Sequence, residues 1–154
     1  MSLFVECKPD ETLAFALGVP RNDIEHANDI GRVCKQLSKR ENTIGMVDED
    51  PGSAKPPYFN SFKEQSREHG IRVLLDSQKN NRMIVLSPRL EEWLVQTTKS
   101  AGLRMTEHGF NGENGSRLHA EINHRLGSLQ RLVEGLLAAQ SPRLLRLKLL
   151  LTKR

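Results

Sequence analysis

Short apolar runs of strand length alternate with stretches of helical character along the first hundred residues, and this alternation constrains the fold more than any other feature. Leu3-Phe4-Val5, Ile44-Gly45-Met46-Val47, Ile71-Arg72-Val73-Leu74-Leu75 and Met83-Ile84-Val85-Leu86 each read as a strand bounded by turn residues. A weaker strand is read over 23–27, where Ile24 is the only large apolar residue. Between the strands, residues 10–17, about 30–40 and about 89–101 have helical composition, with Asn28-Asp29 as a cap and Gly18 and Gly102 as stops. Phe59 and Phe62 are read as the start of a further helix ending near Gly70. The order predicts an α/β fold with a mostly parallel sheet flanked by helices. The runs at 71–75 and 83–86 stand close enough to pair instead as a hairpin.

The composition changes at Glu107–Ser116, which is rich in Gly and Asn. Beyond it, Leu118, Ile122, Leu126, Leu129, Leu132, Val133, Leu136 and Leu137 form one helical stripe, and Ser141-Pro142 caps a last leucine-rich helix. The expected organisation is a core over residues 1–105 with a C-terminal helical pair, 117–154, packed on the same domain. Cys7 and Cys34 are too few for a disulfide framework or a zinc site. The start of the chain lacks the charged and apolar pattern of a secretion signal, and no apolar run reaches spanning length, so a cytoplasmic protein without a membrane partner is expected. The formal net charge is +4; Arg143, Arg146, Lys148, Lys153 and Arg154 supply +5 with no acid among them, which leaves the remainder near −1. Such a tail suits a polyanion, and it equally suits the C-terminus of a leucine-rich helix that must stay in water.

Acidic residues stand at the ends of the expected strands. Glu6 follows the first run, and Asp48-Glu49-Asp50-Pro51-Gly52 follows the run at 44–47. Extended backbone alternates its side chains, so Asp48 and Asp50 are expected to project together with Glu49 turned aside. Adjacent carboxylates repel unless a proton or cation lies between them, and hard cations such as Mg²⁺ or Mn²⁺ take oxygen ligands. Functional groups in open parallel sheets gather at the carboxyl ends of strands. Glu91, just past the run at 83–86, is a further candidate ligand, and Lys8, Lys79 and Arg82 are candidate phosphate contacts. Each also has an ordinary reading: an acidic surface turn, first-turn acids that suit a helix dipole, and solvated turn cations.

Val5-Glu6-Cys7-Lys8-Pro9-Asp10-Glu11 together with Gly45-Met46-Val47-Asp48-Glu49-Asp50-Pro51-Gly52 resembles the Toprim family, the catalytic domain shared by topoisomerases, primases and several nucleases. That family carries a glutamate after its first strand and Asp-x-Asp after a later one; a glycine usually follows the glutamate, where Cys7 stands here. The resemblance covers roughly the first hundred residues. It implies a Toprim-like metal-binding core with Glu6, Asp48 and Asp50 as catalytic and metal-binding residues, Glu91 as a further ligand, and Mg²⁺ or Mn²⁺ as cofactor. It implies hydrolysis of phosphodiester bonds in DNA or RNA. It extends to stand-alone Toprim proteins that act beside ATPases in phage defence and to the nuclease half of the overcoming-lysogenization-defect enzymes. With no Walker A sequence in the chain, nucleotide-driven control would come from a separate ATPase, and a homo-oligomer is compatible. The alternative is a catalytically inactive Toprim-fold interaction protein. A phosphotransfer receiver or a haloacid-dehalogenase-like phosphatase fits the order of the acids less well.

Overall fold

The computed structural model describes residues 1–153. It contains β1 (Leu3–Val5), α1 (Lys8–Ala16), β2 (Ile24–His26), α2 (Ile30–Ser38), β3 (Ile44–Asp48), β4 (Lys63–Glu68), β5 (Ile71–Asp76), β6 (Asn81–Leu86) and α3 (Leu90–Ser100). Three further helices follow: α4 (Gly115–Glu121), α5 (Leu126–Ala138) and α6 (Pro142–Thr152). The six strands form one sheet in the order β2-β1-β3-β6-β5-β4. β1 runs parallel to β2 and to β3, and β3 parallel to β6, while β5 and β4 complete the sheet as an antiparallel meander. The fold is therefore α/β with a mostly parallel sheet, and β5–β6 is the hairpin that the close spacing allowed.

Alternation along the strands divides the core between two faces. Leu3, Val5, Ile44, Met46, Ile84 and Leu86 join one buried cluster with residues of α1 and α3 to α6. Phe4, Val47, Met83 and Val85 join the other, beneath Val33, Cys34 and Leu37 of α2. Gly45 belongs under α2: a Cβ there would stand 2.8 Å from Val33 Cγ1 and 2.9 Å from Met83 Sδ, so the helix sits as close to the sheet as a side-chain-free position permits. Asp29 caps α2 by accepting a hydrogen bond from the Arg32 amide at 2.8 Å.

Two sequence expectations are corrected. Residues 59–70 do not form a helix; a 3₁₀ turn at Pro57–Ser61 leads into β4. Lys63–Glu68 contains no apolar residue that could hold a helix against the sheet, whereas its backbone pairs with β5 and Glu64 accepts from both Arg67 and Arg72. The single stripe from Arg117 onward is broken: α4 ends in a 3₁₀ turn at Ile122–His124, and Arg125 leaves helical geometry before α5 begins. The C-terminal part thus holds three helices rather than two, and Arg154 lies outside the described residues. α6 is not an appendage: Leu144, Leu147, Leu150 and Leu151 are buried in the main core, and Arg143 Nε donates to Thr97 Oγ1 of α3 at 2.8 Å. No helix among the described residues is long and apolar enough to cross a membrane.

Candidate functional site

Parallel neighbours send their chains out of the same edge of the sheet. β1 and β3 pair with Val5 opposite Met46, so Glu6 and Asp48 emerge side by side. Glu6 Oε1 accepts a hydrogen bond from the Asp48 amide at 2.8 Å. Asp48 Oδ1 in turn accepts from the Leu90 amide at 2.9 Å, which ties the first turn of α3 to the end of β3. That tether carries Glu91 into the same place. Glu6, Asp48 and Glu91 line one cavity of about 180 Å³ with Cys7, Pro9, Asn28, Leu90, His119, Ile122 and Asn123. Its lining includes no lysine or arginine.

Asp10 lies behind this cavity, 2% exposed, and accepts a hydrogen bond from the Cys7 thiol at 3.2 Å. Cys7 has extended backbone, φ −147° and ψ 172°, which any residue adopts, so this turn does not require glycine. The four carboxylates influence one another strongly. Burial pushes Asp48 up to about 8, reinforced by the charges of Asp10, Glu6 and Glu91 and opposed by the Leu90 amide. Burial pushes Asp10 up to about 7, with the Cys7 thiol opposing and Glu6 and Glu91 adding to the rise. Burial also raises Glu6, while the Asp48 amide opposes it. His119 Nδ1 lies 2.5 Å from Glu91 Oε1, so α4 closes the cavity from the helical side.

The remaining sequence candidates fall elsewhere. Asp50 is exposed and has a left-handed backbone, φ 45°, so the alternation that would have aimed it beside Asp48 ends at the strand terminus. Its charge still reaches Glu6, but its side chain does not line the cavity. Glu49 turns aside as expected, toward Arg72 at 3.3 Å and the Ser87 hydroxyl. Lys8 is exposed and faces a separate groove with Glu11, Phe15 and Arg21. Arg82 pairs with Ile44, at the start of β3, and thus sits about 13 Å along the sheet from the acidic end. Lys79, in the preceding turn, donates to the Ser38 carbonyl at that same far end. Neither reaches the acidic cavity. Tyr58 is also remote from it, donating to Asp76 Oδ2 at 2.6 Å.

Sequence reasoning does not join Asp10 or His119 to the acidic site; His119 is weighed only as a metal pair with His124, which their spacing of five disfavours. Asp10 reads as an ordinary first-turn acid of α1, and only its burial distinguishes it. His119 stands 28 residues beyond Glu91, and no local spacing joins them.

The donor set is chemically suited to a hard divalent cation: carboxylate oxygens on three separate elements, crowded, with no lysine or arginine in the lining and His119 against Glu91. Among the described residues, however, no three His, Cys, Asp or Glu side chains are already drawn together as a ligand group. Comparison of the chain with protein-family models, with curated proteins and with solved structures finds no match.

Proposed function

We propose that this protein is a Toprim-like, divalent-metal-dependent nuclease that hydrolyses phosphodiester bonds. The observation that carries this reading is the meeting of Glu6 and Asp48 in one cavity whose lining has no lysine or arginine, with Glu91 beside them. Half-buried carboxylates so placed share protons or a cation, and burial raises the proton affinity of Glu6 and Asp48. Glu6, Asp48 and Glu91 would hold Mg²⁺ or Mn²⁺. The ion would supply positive charge to the phosphoryl and leaving oxygens.

The chain's own part in the reaction is proton transfer and positioning. Glu6 Oε1 is occupied by the Asp48 amide, so Oε2 is the atom offered to an attacking water. Its raised proton affinity suits it to take the water's proton as the new P–O bond forms and the bond to the leaving oxygen breaks. The leaving oxygen takes its proton from solvent. Asp48 is fixed by the Leu90 amide, and Glu91 by His119, which limits the reorganisation needed when substrate arrives. Under this reading a separate ATPase would govern access to the site. The test is Mn²⁺ titration calorimetry alongside nicking of plasmid DNA and cleavage of RNA. Glu6→Gln and Asp48→Asn should each abolish ion uptake and cutting while leaving the circular-dichroism spectrum unchanged. A parent chain that takes up no Mn²⁺, or variants that cut as well as it does, would end the proposal.

A second reading, a catalytically inactive interaction protein of the same fold, is favoured by one observation: no ligand trio is assembled among the described residues. Ion uptake at micromolar Mn²⁺ by the parent chain decides against it.

A further inference from the structure

We propose that the groove between α2 and the edge strand β2 holds the phosphate backbone of a nucleic-acid strand and leads it into the acidic cavity. This rests on the nuclease reading for its direction, and it stands on separate observations. A groove of about 330 Å³ runs along β2 and α2, lined by Glu25, His26, Asn28, Arg32, Lys35 and Lys39 among others. Arg32, Lys35 and Lys39 occupy positions i, i+3 and i+7, one exposed row about 10 Å long on the helix. Arg32 is engaged by Asp29 at 3.8 Å, whereas Lys35 and Lys39 form no ion pair among the described residues.

The groove and the acidic cavity meet. Asn28 lines both, and its left-handed backbone, φ 80°, turns the chain between β2 and α2 at their junction. On the other side of that junction, His26 in the groove is hydrogen-bonded through Nε2 to the carbonyl of Glu6, whose side chain lies in the cavity. A row of cations next to an acidic pocket is the charge order that a cleaved polyanion requires. Phosphates at a distance from the cut are held by cations, and the phosphate being cut lies against the carboxylates and their ion. Phe4 lies beneath the groove but is 1% exposed, so it offers no stacking surface and the contact is with backbone rather than bases.

The test uses full-length protein carrying Asp48→Asn, in EDTA, so that neither cutting nor metal enters the readout. Binding of a fluorescent 20-nucleotide single strand is followed by anisotropy between 0.05 and 0.2 M salt. Loss of two phosphate contacts in Lys35→Ala/Lys39→Ala should weaken binding about tenfold at 0.2 M salt and about seventyfold at 0.05 M, with a salt slope shallower by about 1.4. Unchanged affinity in that variant, or no binding by its parent, would overturn the groove assignment. So would an equal loss on Lys148→Ala/Lys153→Ala, which would mark diffuse attraction to any basic surface. Polyglutamate competing as well as an oligonucleotide of equal charge would overturn it in favour of an acidic peptide. Cutting by the wild-type chain with Mn²⁺, measured separately, reports on the nuclease reading, so the two ideas fail independently.

Discussion

Asp10 sets a pH dependence that few surface carboxylates could. Its ordinary value is 3.8, and burial raises it in the folded chain to about 7. Between those values Asp10 holds its proton in the folded state and loses it in the unfolded one, so its contribution to stability falls as pH rises from about 4 to about 7, and Asp48, pushed up to about 8, carries the decline on to about pH 8. Urea midpoints taken in EDTA should decline across that range, and Asp10→Asn should make the decline shallower while Asp48 and Glu6 keep part of it. An unchanged profile in the variant would show that Asp10 is not the titrating group. At this scale the sequence was informative where side chains leave a strand directly. Glu6 and Asp48 are each bound to a strand end, and the parallel pairing of β1 with β3 brings them together. Asp50 was misplaced because a period of two holds only while the backbone stays extended, and the chain turns left-handed there. Lys79 and Arg82 were read as near the site because they precede a strand, yet a parallel strand's start lies at the opposite end from its carboxyl terminus.

The elements follow the apolar pattern closely, and the exceptions have local causes. β4 escaped detection because Lys63–Glu68 has no apolar alternation; pairing with β5 holds it, and its exposed charges keep an edge strand from recruiting another chain. α2 depends on Gly45, a glycine inside a strand pattern that signals close backbone approach. Gly45→Ala should destabilise the protein by about 1–3 kcal/mol in chemical denaturation, because the new methyl would collide with Val33 and Met83. A neutral result would show that α2 moves outward without resistance. The basic character of α6 suggested a surface role, whereas its leucines belong to the main core. Leu147→Ala should cost about 2–5 kcal/mol, while Lys148→Ala, on the exposed face, should change stability by less than about 0.5 kcal/mol.

Across the whole molecule, one buried cluster joins β1, β3 and β6 with α1 and α3 to α6, so the first hundred residues and the C-terminal helices share one core. A ligand that binds only this folded arrangement raises its stability by mass action. Mn²⁺ at a hundred times its dissociation constant should add about 2.7 kcal/mol, read as a shift in the urea midpoint at pH 8. Asp48→Asn should remove the shift, and a shift that persists would place the ion elsewhere. The same cluster explains why the acidic cavity was only partly legible. One wall consists of His119, Ile122 and Asn123, and their position depends on how α4 breaks into α5 rather than on any pattern near the acids. This late wall has a consequence during synthesis. A chain emerging from the ribosome presents Glu6, Asp48 and Glu91 well before the residues that enclose them have been translated. Until that last quarter arrives and docks, the acids lack the wall that His119, Ile122 and Asn123 supply. Closure of this cavity therefore waits until translation is all but complete.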